Sequence, residues 1–182
     1  MKRLLPRQFH GAGWRQSAVT LLLLLISALP AAAQGQAAIV RTDPAVLEFG
    51  QGEVAVVSIV LVDARDAYGI DVRAAFDPQA VEVVDADPGS EGVQMTPGSF
   101  LKPEFVARNT ADNAAGTLRY AATQVNPTEP ANGTGVVLTL QLRAKTPGET
   151  SLALGPVELA DRQGQLIPVT VEPGAITVVE MR

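Results

Sequence analysis

The sequence predicts an all-β protein, an antiparallel β-sandwich of eight or nine strands with jelly-roll topology. Three observations lead there. Short apolar stretches recur with a period of two residues, so that one face of each is apolar and the other polar. Gly, Pro, Asn and Asp clusters interrupt them about every 8–15 residues. No stretch sustains a helical period, and no segment repeats. Long connections and uneven strand spacing favour a jelly roll over an immunoglobulin topology.

The chain opens with Lys2, Arg3, Arg7 and Arg15, an apolar run from Ala18 to Leu29, then Pro30 and a small-residue site at Ala31 to Ala33. This is the pattern of a secretory signal peptide, residues 1–33, cut after Ala33. The apolar run is shorter than the roughly 20 residues that span a bilayer, so no membrane insertion is expected once it is removed. Residues 34–37 read as a short tail and 38–182 as a single domain. About 149 residues suffice to bury roughly two-thirds of the unfolded surface, and without cysteine the domain rests on its apolar core alone.

Ala38 to Arg41 and Val46 to Phe49 are short extended segments parted by Asp43-Pro44. Gly50 to Glu53 turns the chain into VAVVSIVLV, Val54 to Val62. That run is apolar on both sides except for Ser58, as for a strand covered on both faces or central in a sandwich. Asp63 to Asp66 is read as a loop. The next stretch, Ala67 to Gly89, organises the chain: Tyr68, Ile70, Val72, Ala74 and Phe76 fall inward, and Asp71, Arg73 and Asp77 outward. Asp77-Pro78 stops this strand because proline has no N–H for a ladder, and Val81 to Val84 starts another. Ser90 to Pro103 is irregular, and Glu104 to Asn109 is a short strand. Thr117 to Val125 places Leu118, Tyr120 and Ala122 inside and Arg119, Ala121 and Thr123 outside. Asn126 to Gly135 reads as a loop. Gly135 to Lys145 should bury Val136, Leu138, Leu140 and Leu142, contributing on the order of 6–12 kcal/mol before chain entropy. Thr150 to Leu159, Leu166 to Val171 and Ala175 to Val179 complete the strands.

The charge balance excludes several functions. The leader holds four basic residues and no acid, so the net charge of −5 for the whole chain becomes −9 for residues 34–182, which argues against nucleic acid or anionic membrane as a partner. His10 and Trp14, the only residues of their types, leave with the leader. What remains has no imidazole base, thiol nucleophile or usual zinc ligand set, and its serines lack a base. Nineteen acids form pairs by chance, and nothing places two of them in a cleft for glycoside hydrolysis. The expectation is a protein that is not an enzyme and carries no cofactor or metal.

Asp63 with Asp66, and Asp85 with Asp87 and Glu91, could offer hard oxygen ligands to calcium. DADPGSEG fails the EF-hand pattern, however, and solvated turn residues are the preferred reading. The sequon Asn132-Gly133-Thr134 is read as an ordinary turn. A sugar-stacking platform finds little support, since both tyrosines and Phe76 lie in the inward register. Phe100 and Phe105 are read as packing under the irregular loop. What remains is a polar sheet face. Asp71 and Arg73, Arg119 and Thr123, and Asn109 could lie side by side if their strands are neighbours. Mixed charge there is ordinarily solvated surface, but small residues such as Ala75 and Ala121 would also let a partner helix approach.

YGIDVRAAFDP followed by VEVVDADPG resembles the third and fourth strands of bacterial cohesin modules. GQGEVAVVSIVLVDA is similar to that family's second strand, GTLRYAAT to its sixth, and GTGVVLTLQLRAK to a later strand, with Leu142 where phenylalanine is common. PGETSLAL and PGAITVV would close the module. The resemblance covers about Ala38 to Glu180. It implies a nine-stranded jelly roll that docks calcium-loaded dockerin modules of other proteins, with the calcium on the partner, in an extracellular or cell-surface setting of polysaccharide degradation. It also implies a docking face on the third, fifth, sixth and eighth strands. Asp71 matches an outward polar position of the third strand; Arg73, Asn109, Arg119 and Thr123 follow from the face geometry. A carbohydrate-binding module of the same fold is the alternative.

Overall fold

The computed structural model describes residues 37–180. The signal peptide, its cut, residues 34–36 and the last two residues lie outside them. Thirteen strands run in chain order: β1 (Ala38–Asp43), β2 (Val46–Gly50), β3 (Val54–Ala67), β4 (Gly69–Ala75), β5 (Val81–Val84), β6 (Thr96–Pro97), β7 (Phe105–Asp112), β8 (Thr117–Thr123), β9 (Ala131–Ala144), β10 (Gly148–Ala160), β11 (Leu166–Ile167), β12 (Val169–Glu172) and β13 (Gly174–Val179). No described residue is helical. Two sheets face each other. One is ordered β12-β1-β3-β9-β5 with β6 beside β9; the other is ordered β2-β13-β10-β4-β8-β7 with β11 beside β10. This is the all-β jelly-roll sandwich that the alternation predicts.

The strand count differs from nine for a physical reason. β1 and β2 are one run that changes sheets at Asp43-Pro44, and β12 and β13 change sheets beside it at Pro173-Gly174. Counting each run once, and setting aside the two-residue β6 and β11, leaves nine. The two crossing runs lie parallel to each other, β1 on β12 and β2 on β13, whereas the other pairings are antiparallel. Gly174 is required by close approach, because a Cβ there would lie 2.4 Å from the Oγ1 of buried Thr42.

The core is built from the inward registers. Ile70, Val72, Ala74, Leu118, Tyr120 and Ala122 from one sheet meet Val57, Ile59, Leu61, Leu138, Leu140 and Leu142 from the other. In three places the chain departs from simple alternation. β9 carries an extra residue between Leu138 and Val136, so Val137 is buried and Val136 only partly so. β3 runs on through Asp63 to Asp66 and β9 starts at Ala131, so two expected loops are one ladder with two bulges. Asp63 and Asp66 sit there at φ 54°, a conformation Asp tolerates, and their N–H groups donate to Thr134 Oγ1 and Asn132 Oδ1. The third departure is on β3, central in its sheet, whose outer side is covered only in part: Val60 is buried there, while Val54 and Val56 lie exposed.

β5 and the irregular segment that follows it are tied down by side-chain amides acting as strand edges. Asn109 accepts from the Met95 N–H at 3.0 Å and donates to the Met95 carbonyl at 2.8 Å; Asn113 does the same for Val83, at 2.8 Å each way. The segment then runs along β9, paired with it through β6, where a Cβ on Gly98 would lie 2.1 Å from the Val136 carbonyl oxygen.

Candidate functional site

β10, β4, β8 and β7 are consecutive in the seven-stranded sheet, so the eighth, third, sixth and fifth of the nine long runs lie side by side. Their registers form rows on the outer face. Ala160, Gly69, Thr123 and Phe105 make the first row; Glu158, Asp71, Ala121 and Arg108 the second. Arg73, Arg119 and Thr110 make the third, and Ala153, Ala75, Thr117 and Asp112 the fourth. Beside Arg73 the β10 ladder is broken by a bulge at Gly155-Pro156. Gly155 adopts φ 128° there, a region that favours glycine.

The centre of the face is an ionic cluster. Arg119 reaches diagonally to Asp71, with Nε 3.1 Å and 3.2 Å from the two carboxylate oxygens and a terminal nitrogen 2.6 Å from Oδ2. Arg73 adds a longer contact to Oδ2 at 3.4 Å. The hydrogen bonds from Arg119 hold the Asp71 carboxyl below the usual carboxylate range. Partial burial works against them, and the charges of Arg119 and Arg73 work with them. The Arg119 guanidinium is correspondingly stabilised in its charged form by Asp71. Arg73 lies directly opposite Arg119, a like-charge pair that Asp71 bridges.

Four of the five residues named from the sequence lie on this face: Asp71, Arg73, Arg119 and Thr123. Thr123 Oγ1 is turned to the main chain, 3.2 Å from the Tyr68 carbonyl and 3.0 Å from that of Gln124. Asn109 pairs with inward Tyr120, and its amide is spent on Met95, so it lies on the other side of β7 from Arg108 and Thr110. Ala111, two residues later on the same side, is buried, and the register shift between Val106 and Arg108 hides this side from local sequence pattern. The face gains Arg108, Thr110, Glu158 and Phe105. The last pairs with Thr123, is 57% exposed, and so does not pack under the irregular loop as Phe100 does.

In the second acidic loop the carboxylates of Asp85 and Asp87 accept hydrogen bonds from the loop itself. Asp85 Oδ1 accepts from Asp87 and Gln94, while Asp87 accepts from Gly89 and from the Ser90 hydroxyl. Among the described residues no cluster of three or more such side chains is placed to hold a metal ion. Nor is any helix there long and apolar enough to cross a membrane.

The arrangement defines a class, a jelly-roll sandwich that presents a flat, polar, rigid four-strand face. The fold is that of the cohesin domains. The structure is similar to a non-cellulosomal cohesin from the hyperthermophilic archaeon Archaeoglobus fulgidus, with TM-score 0.60 and 16% identity over 79% of this chain and 90% of that one. It is similar to a type II cohesin domain from the cellulosome of Acetivibrio cellulolyticus, with TM-score 0.63 and 17% identity over 77% and 94%. A chain of a type I cohesin–dockerin complex from Clostridium thermocellum gives TM-score 0.63 and 13% identity over 79% and 100%. No family model and no curated protein matches the sequence.

Proposed function

We propose that this chain is an exported, non-catalytic docking module that binds a dockerin-type partner through the outer face of β10, β4, β8 and β7. One observation carries the reading. The face is flat, its backbone is fixed by pairing on both sides of β10, β4 and β8, and it combines a charged centre with small residues such as Ala75, Ala121 and Ala153 that admit a helix. A solved cohesin–dockerin complex is built on the same fold. Calcium belongs to the partner in this reading, while Asp85 and Asp87 of this chain serve their own turn. Polysaccharide degradation outside the cell is the wider setting proposed.

Sugar binding is the weaker reading, because Phe105 is the only aromatic side chain more than half exposed among the described residues, and a stacking platform needs several. The test is capture on immobilised calcium-loaded dockerin modules set against retention on insoluble glycans. The docking reading expects the first and not the second, with capture lost in the Asp71→Ala, Arg73→Ala double variant. Capture that is indifferent to that double substitution would place the face elsewhere.

A further inference from the structure

We infer that the face reads a carboxylate on its partner, with Arg73 and Arg119 as the receiving pair, and that this carboxylate flanks an apolar side chain seated in the depression beside them. The inference rests on the docking reading above and specifies the partner's chemistry. Asp71 is the outward polar residue at the centre of the face, yet it is not what a partner meets. Both its oxygens are taken by Arg119, and its side chain is 16% exposed, against 45% for Arg73 and 44% for Arg119. The surface presented is guanidinium.

One carboxylate between two guanidinium groups leaves a unit of positive charge on a protein that is otherwise acidic, together with unused N–H donors in planar forks suited to a carboxylate. Of the other charged groups on the face, Glu158, opposite Asp71 on β10, acts on Arg119 through its charge, and Arg108, three strands from Glu158 in the same row, adds a positive charge at the far edge; among the described residues neither makes an ion pair. Asp112 accepts the N–H groups of Ala114 and Ala115, both at 2.9 Å, and is spent on its turn.

Next to the pair is a shallow depression of about 380 Å³, lined by both arginines with Ala75, Asp112, Thr117 and Pro156. It exists because the β10 bulge lifts the chain at Gly155-Pro156 beside a floor of small residues. An apolar side chain of a helix fits this shape. An Asp or Glu three or four residues along the same helix lies on the same side and reaches the guanidinium pair. The partner is thus a dockerin-type helix carrying an apolar residue and an acid at that spacing.

The test uses a panel of calcium-loaded dockerin modules whose surface helices do or do not carry that pattern, titrated calorimetrically at low and high salt. Tight, salt-sensitive binding only by acid-bearing modules is expected. Arg73→Glu should weaken it by about tenfold or more, and a matching Asp or Glu to Lys change in the module should restore most of the loss. Arg73 is nearly half exposed, so the variant is expected to stay folded, which circular dichroism checks. Equal binding by modules without the acid, or an affinity unmoved by Arg73→Glu, overturns the carboxylate reading while leaving docking intact. If no module in the panel binds, both readings fall together.

Discussion

Asn109→Ala isolates what a side chain does when it substitutes for a strand. In the native structure the Asn109 amide makes two hydrogen bonds, of 3.0 Å and 2.8 Å, to the N–H and C=O of Met95, whose side chain is 2% exposed. Truncation leaves both main-chain groups without partners in a segment that cannot easily turn them to water, because Val93 is bridged to Ala111 and Gly98 is bonded to Val137 on either side. Each net hydrogen bond is worth about 0.5–1.5 kcal/mol, and an unsatisfied buried group costs about 1–3 kcal/mol, so the variant should lose roughly 2–4 kcal/mol. For a domain of this size that is about 5–15 °C in Tm. Guanidinium denaturation gives the free energy, and hydrogen exchange at Met95 and Val93 gives its location. Asn113→Ala, which removes the same clamp from Val83, is the internal comparison and should cost a similar amount. A loss under about 0.5 kcal/mol for Asn109→Ala, with unchanged exchange at Met95, would refute the reasoning. Asn109 would then be free to serve as the contact residue that simple alternation suggests.

Other perturbations test other parts of the account. Asp71 has a lowered pKa, so the stability it adds is complete above its unfolded value and is lost as pH falls through its folded value; the gap between wild type and Asp71→Asn in urea melts should be constant near neutrality and close in acid, and a gap that widens in acid contradicts the sign. Leu140→Ala removes a side chain with no exposure between the sheets and should cost about 2–5 kcal/mol in the same melts, well beyond any substitution on the polar face. Gly98→Ala drives a Cβ into the Val136 carbonyl and should cost about 1–3 kcal/mol, with spectral changes confined to the segment and β9. Chelation with EDTA should leave the melting of this protein alone unchanged while abolishing its capture by a calcium-loaded module, because Asp85 and Asp87 already hold main-chain N–H groups.

β4 and β8 were legible from sequence because both have an unbulged ladder, one buried face and one polar face, so a period of two read from Tyr68 or Leu118 gives the right side for every residue. Legibility fails where a bulge shifts the phase. Val137 rather than Val136 enters the core through the extra residue in β9, and Phe105 shares the outer face with Arg108 through the shift in β7. Turn-forming residues mislead where they form bulges instead, as at Asp63, Asp66, Asn132 and Gly133, whose local chemistry hides a continuous ladder between β3 and β9. Glu158 and the depression at Pro156 depend on β10 lying against β4, a long-range pairing for which local pattern holds no signal. The exposed Val54 and Val56 show the converse, since an apolar run is consistent with burial on both faces but does not require it.

Amide chemical-shift mapping of the labelled protein during titration with a calcium-loaded dockerin module tests the central claim most directly. The account predicts perturbations centred on Asp71, Arg73, Arg119, Ala121, Arg108 and Glu158, with the outer face of β3 and β9 unmoved. Perturbations centred instead around Val54 and Val56, or a spectrum unchanged at millimolar module, would contradict it.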